Sequence, residues 1–178
     1  KVVDEDGRIT IPHFYDKVEE VPAAEREMIA QIPFDEKKYM EAIGVKQLKG
    51  EEGYSTLERN SCRPSFDVCG IWGGYTGEGS KTVLPSKAYA KVSCRLVPHQ
   101  DHETISQLFI DYINSMAPEY VQVKVTPMHG GEGYVCPITL PAYQAAEKGF
   151  AKAFGKKPLA VRRGGSIPII SDFERILG

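Results

Sequence analysis

The sequence lacks any long apolar run, since its 178 residues contain nothing close to the roughly 20 apolar residues of a membrane-spanning helix. It also lacks a strong net charge, because 22 Lys and Arg residues nearly balance 24 Asp and Glu residues, giving −2. A near-neutral chain has no overall attraction for nucleic acid or anionic lipid. We therefore expect no nucleic-acid partner and no membrane association. The first residues do not have the pattern of a secretory signal either.

Cysteine is scarce, and its spacing matches no common metal or redox motif. The four residues are Cys62, Cys69, Cys94 and Cys136, which form neither a CxxC pair nor a zinc-finger pattern. HExxH is absent, as is any other cluster of His, Cys and carboxylates at metal-ligand spacing. These absences predict reduced thiols in a cytoplasmic protein and no complete metal site in this chain.

The clearest structural signal is the strict alternation of residue types over positions 87–96. One face is apolar (Ala88, Ala90, Val92, Cys94 and Leu96), and the other is polar and cationic (Lys87, Tyr89, Lys91, Ser93 and Arg95). A period of two predicts a half-buried antiparallel strand. The planar two-pronged guanidinium of Arg95 is suited to holding a carboxylate. The alternative is that these cations only keep an exposed sheet face soluble.

A glycine-rich segment at 73–80 precedes this strand and nearly matches a phosphate-binding P-loop. Gly74 and Gly79 have the required spacing, but Ser80 intervenes before Lys81 and Thr82, and a strand rather than a helix follows. We therefore do not expect a nucleotide site. The segment is interpreted either as a flexible hairpin or wide bulge, or as a loop that covers a substrate and carries Thr82.

The first part of the chain has the pattern of an α+β fold. The pattern predicts strands at 8–11, 66–72 and 120–126, helices at 22–32, 34–43 and 101–117, and a loop at 49–64. The order strand, strand, helix, strand is typical of an antiparallel sheet covered by helices.

The composition changes after Met128, where His129 and several glycines indicate a hinge. A helix from Pro141 to Gly155, a strand at 159–162, a tight turn at 164–166 and a helix from 167 then give an α/β pattern. We predict two units, residues 1–130 and 131–178.

Two residues at or after the hinge are further candidates for a site. His129 lies at the hinge, and Ser166 lies in a glycine-containing turn before a helix, where free N–H groups favour an anion. The turn does not match GxSxG, so a nucleophilic serine is not expected. A plain tight turn capped by Ser166 is the alternative.

Taken together, these motifs resemble the di-zinc exopeptidases of the carnosinase and cytosolic non-specific dipeptidase type, within the wider aminoacylase and carboxypeptidase superfamily. The resemblance covers nearly the whole chain. It is carried by Gly7-Arg8-Ile9, Phe14-Tyr15-Asp16, Pro33-Phe34-Asp35-Glu36, Gly53 to Arg59, Arg63 to Val68, Gly77 to Pro98, His129-Gly130-Gly131 and Arg162 to Pro168.

The resemblance implies a fold and a division of the chain. Residues 1–130 would be a lid or dimerisation domain, a ferredoxin-like two-layer α+β sandwich with an antiparallel sheet, lacking its first strand and helix. Residues 131–178 would be a partial α/β catalytic-domain segment. A pair of zinc ions would be bound by ligands outside this chain, so the isolated chain is expected to be inactive, and the protein to form a homodimer.

The resemblance also implies roles for five residues. Thr82, Arg95, Gly165, Ser166 and His129 would contact a dipeptide or short peptide substrate, with Arg95 on its C-terminal carboxylate. Arg163 stands where the family often has Glu. The implied reaction is hydrolysis by metal-activated water. A non-catalytic dimerisation or binding module, or a deacylase of N-acyl amino acids, are the alternatives.

Overall fold

The computed structural model describes residues 1–163, 167 and 169–177. These residues form helices together with one two-stranded antiparallel sheet, which confirms the predicted α+β class. In chain order the elements are α1 (Ala23–Ala30), α2 (Glu36–Ile43), α3 (Thr56–Cys62), β1 (Ser65–Gly73), β2 (Ala88–Arg95), α4 (His102–Met116), α5 (Pro141–Phe154) and α6 (Ile169–Leu177).

A β-bulge divides the sheet into two halves. Val68 pairs with Val92, and the register then shifts by one residue, so that Ile71 pairs with Ala90. Because side chains alternate along a strand, the extra residue keeps Val68 and Ile71 on the same face. The opposite face carries the stacked rings of Trp72 and Tyr89, whose centroids are 5.2 Å apart.

The two predicted faces of β2 are confirmed where the strand meets the core. Val92 and Cys94 are half-buried, whereas Lys91, Ser93 and Arg95 are exposed. The cationic face is therefore directed to solvent.

The core lies between the sheet, α4 and the first residues of the chain. Its buried members are Ile9, Ile11, Phe14 and Ile105, and partly buried apolar side chains of β1, β2 and α4 pack around them. The rings of Phe66 and Phe109 lie 5.8 Å apart and join the sheet to the helix. The face that α4 buries thus carries apolar residues at the i, i+3, i+4 spacing of an amphipathic helix: Ile105, Leu108, Phe109 and Tyr112.

Helix ends follow the expected capping chemistry. The carboxylate of Asp101 accepts a hydrogen bond from the backbone N–H of Thr104 at 2.7 Å, and that of Asp35 accepts one from Lys38 at 3.1 Å. Gly44 ends α2 with a φ of 71°, a left-handed conformation that glycine adopts without strain.

A buried amide joins the N-terminal segment to the connection between β2 and α4. The side chain of Gln100 accepts a hydrogen bond from the N–H of Val97 at 3.0 Å and donates one to the carbonyl of Phe14 at 2.9 Å. Both polar ends of the amide are therefore satisfied inside the core, as burial of a polar group requires.

A buried ion pair connects the chain before α3 with the chain after it. Arg63 donates from Nε and Nη2 to the two carboxylate oxygens of Glu51, at 2.8 and 2.7 Å. The Arg63 side chain is 2% exposed, and its guanidinium lies 4.3 Å from the centre of the Tyr54 ring. Because Arg63 is the C-cap residue of α3, the pair ties the end of this helix to the chain at Glu51.

Three predictions about secondary structure were wrong. The region 49–64 is not all loop, because it contains α3, whose capping box pairs Ser55 with Glu58. Residues 120–126 and 159–162 are not strands. Neither segment finds a partner strand among the described residues, and a strand needs one for its backbone hydrogen bonds.

The predicted strand at 8–11 is reduced to an isolated bridge between Val3 and Ile9. The domain boundary near residue 130 stays a prediction. In the part of the chain that the structure describes, no helix has the length and hydropathy needed to cross a membrane.

Phe14 should be among the residues that contribute most to stability, since it is only 1% exposed and lies in the core cluster. We expect Phe14→Ala to lower the free energy of unfolding by about 3–5 kcal/mol, through lost burial and the cavity left behind. Urea denaturation followed by circular dichroism measures this change. Phe154→Ala is the control, because Phe154 is 74% exposed. Equal losses in the two variants would contradict the assignment of the core.

Candidate substrate-binding site

Arg95 ends β2 on the exposed, cationic face of the sheet. It stands opposite Ser65 in the antiparallel register. Since Leu96 and Val97 turn directly into the core, the backbone beside Arg95 is anchored, while Arg95 itself is exposed. A charged group on a fixed backbone is suited to orienting an anionic ligand.

The glycine-rich hinge that carries His129 contacts the chain that leaves β2, near the start of α4. Pro98 and Gly133 form a parallel bridge, so the chain leaving β2 runs beside the glycine-rich hinge. Arg95 lies three residues before one side of this bridge, and His129 four residues before the other. His129 is exposed there.

A close contact fixes the hinge next to His129. The backbone of Gly130 lies against the imidazole of His102, the first residue of α4, and a Cβ at position 130 would collide with that ring. Nδ1 of His102 is buried and has no hydrogen-bond partner among the described residues. His102, half-buried at the start of α4, therefore shapes the path of the hinge.

Thr82 is not brought to Arg95 by the sheet. It lies in the exposed connection 74–87, at the centre of a γ-turn in which the N–H of Val83 donates to the carbonyl of Lys81 at 3.0 Å. This connection enters β2 at Ala88, and Arg95 is at the other end of the strand. At 3.3 Å per residue, the strand places Ala88 and Arg95 about 23 Å apart. The glycine-rich segment opens no helix, so a P-loop is absent here.

Gly165 and Ser166 lie outside the described residues. The chain that leads to them does have a described anchor, which the sequence analysis missed. Arg162 makes a two-point ion pair with Glu25 of α1, at 2.6 Å from Nε and 2.7 Å from Nη2. No local pattern predicts a contact between residues 137 positions apart. The capping box of α3, by contrast, was readable from Ser55-x-x-Glu58.

Burial controls the cysteine chemistry near the site. Burial, together with the negative charge of Asp67, raises the pKa of the Cys94 thiol to about 11. Burial also raises the pKa of Cys62, and the nearby Glu25 carboxylate adds to that increase. Both groups therefore remain neutral thiols near pH 7, poor nucleophiles and poor metal ligands.

The described residues do not fit a metal centre. Over residues 1–163, 167 and 169–177 no group of three or more His, Cys, Asp or Glu side chains could hold an ion. Arg95 has the chemistry to hold an anionic ligand, and it stays a candidate on that ground.

The comparisons with known proteins identify the class to which this arrangement belongs. Residues 12–121 match the family described as the peptidase dimerisation domain of M20 peptidases. The chain therefore belongs to the M20 peptidase dimerisation domain family, as the resemblance predicted.

Particular relatives extend this likeness beyond the domain. The Cys-Gly metallodipeptidase dug1 of Schizosaccharomyces pombe is 29% identical over 99% of the chain, which spans 38% of that protein. A metallo-carboxypeptidase from Sulfolobus solfataricus matches with a TM-score of 0.82 at 28% identity, over 97% of this chain and 39% of its own. Human carnosine dipeptidase 1 matches with a TM-score of 0.80 at 27% identity, over 99% and 38%. The chain thus spans less than two-fifths of each.

The thiols should differ sharply in reactivity. A pKa raised to about 11 leaves Cys94 with a thiolate fraction at pH 8 about a hundredfold below that of a thiol at the reference value of 9.0. We expect iodoacetamide to modify Cys94 far more slowly than Cys136, which is exposed. Peptide mass spectrometry over time measures both rates in one sample, so Cys136 serves as an internal control. Comparable rates would contradict the burial of Cys94.

Proposed function

We propose that this chain is the lid and dimerisation part of a zinc-dependent dipeptidase, in which Arg95 holds the C-terminal carboxylate of the substrate. The observation that carries the proposal is an exposed arginine at an anchored strand end, three residues before the contact with the glycine-rich hinge, in a member of the M20 dimerisation domain family. Relatives along nearly the whole chain are named as metallodipeptidases, which supports a dipeptide as the substrate.

The other site residues have roles around the same substrate. His129 would contact it from the hinge, and Gly165 and Ser166 would hydrogen-bond it from the turn that follows Arg162. A carboxylate bound by a planar, two-pronged donor is held in one orientation, and orientation of the scissile bond is a large part of hydrolytic catalysis.

We also propose that the enzyme works as a homodimer in the cytoplasm. The connection that carries Thr82 enters β2 at Ala88, whereas Arg95 is at the other end of that strand, so one substrate would be more simply contacted by Thr82 of one subunit and Arg95 of another. The dimerisation domain supports this arrangement. The four cysteines are unpaired thiols, which supports a reducing compartment.

The metal is proposed from the relatives and not from this chain, whose described residues do not fit one. When bound, zinc lowers the pKa of a coordinated water and polarises a carbonyl. The residues of this chain would bind the peptide, orient it and exclude bulk water from it.

Arg95→Ala in the complete enzyme should lower kcat/KM for a dipeptide at least about tenfold, because the carboxylate loses its charge-assisted partner. The same dipeptide with an amidated C-terminus should be hydrolysed equally by both forms. Lys91→Ala is the matched control, since it removes a cation from the same exposed face. A loss of equal size on acid and amide substrates would contradict the carboxylate role.

Metal removal should abolish activity in the complete enzyme. Dialysis against a chelator is expected to stop dipeptide hydrolysis, and added zinc to restore it, with about two zinc ions per chain by metal analysis. Activity that survives chelation, or that returns with manganese but not with zinc, would contradict the zinc assignment. Hydrolysis of N-acyl amino acids without dipeptide hydrolysis would instead favour a deacylase.

A further inference from the structure

The ion pair between Glu25 and Arg162 joins two distant parts of the chain. Its two short contacts use both carboxylate oxygens of Glu25 and two nitrogens of one guanidinium. The side chains are 29% exposed for Arg162 and 20% for Glu25, so water screens the pair only in part. Bidentate geometry of this kind fixes both distance and orientation.

The Glu25 end of the pair is held in place by its surroundings. Its carboxylate also accepts a contact from the buried thiol of Cys62 in α3, at 3.9 Å. The next residue, Arg26, pairs with Glu58 of α3 at 3.0 Å, and Glu58 in turn closes the capping box with Ser55. Helices α1 and α3 therefore form a fixed support behind Glu25.

The Arg162 end has no such support from secondary structure. Residues 157–163 form neither helix nor strand. Arg162 precedes Gly165 by three residues and Ser166 by four.

We propose that Glu25 is a positioning residue, which rests on the function proposed above. Through Arg162 it fixes the start of the segment that carries Gly165 and Ser166, the proposed hydrogen-bonding partners of the substrate. The described contacts of the Glu25 carboxylate are with Arg162 and Cys62, so its proposed role acts through Arg162. It couples the placement of that segment to α1, in the first part of the chain.

The test uses the complete enzyme and the substitution Glu25→Gln, which keeps the shape of the side chain and removes its charge. We expect KM for a dipeptide to rise at least about fivefold with kcat changed less, since the substrate is held less well before reaction. Backbone amides of residues 159–163 should exchange hydrogen faster in this variant. Glu27→Gln is the matched control: it removes the same charge from the same helix, at an exposed residue.

Reversal of the pair separates positioning from general stability. Glu25→Arg combined with Arg162→Glu should recover most of the lost kcat/KM, whereas each single reversal should not. Glu25→Gln kinetics and exchange equal to those of Glu27→Gln would overturn the positioning role, as would failure of the reversed pair to rescue. A wild-type enzyme that hydrolyses no dipeptide would instead overturn the proposed function, so the two failures are distinguishable.

Discussion

The buried pair between Glu51 and Arg63 is the interaction on which the arrangement of the other elements depends. Arg63 is the C-cap residue of α3 and lies two residues before the start of β1, so its position bears on both elements. Removing one partner would leave a buried charge unpaired, which costs about 3–5 kcal/mol in comparable cases. Arg8 also reaches Glu51, at 3.3 Å, and brings the first residues of the chain into the same network.

Contacts connect this pair to two separate parts of the chain, one at Arg95 and one at Arg162. Along one, β1 carries β2 in register and so places Arg95 opposite Ser65. Along the other, α3 supports α1, and Glu25 of α1 holds Arg162. Arg95 and Arg162 are far apart in the sequence, but the placement of both depends on the short stretch from Glu51 to Arg63. A rigid scaffold of this kind is what precise substrate orientation requires.

Features with local signals could be predicted from the sequence, and features set by distant contacts could not. The alternation of β2, the apolar stripe of α4 and the caps Asp35 and Asp101 are local and are present in the structure. The strand expected at 120–126 failed because alternation cannot supply a partner strand. The bulge in β1 shifts the alternation by one residue, so Val68 and Ile71 face the same side although they are three positions apart. The exposed position of Arg95 could be predicted from the alternation of its strand. The contact of Arg162 with Glu25 could not, because no local pattern indicates it.

The contact between Gly130 and His102 has a consequence for how this sequence can diverge. Any side chain at position 130 would occupy space that the imidazole fills, so the two positions cannot change independently. A homologue with alanine or a larger residue at 130 should carry a smaller group at 102, or a different path for the hinge. Pairwise covariation between these two alignment columns would then record, over evolutionary time, the same packing that the structure shows.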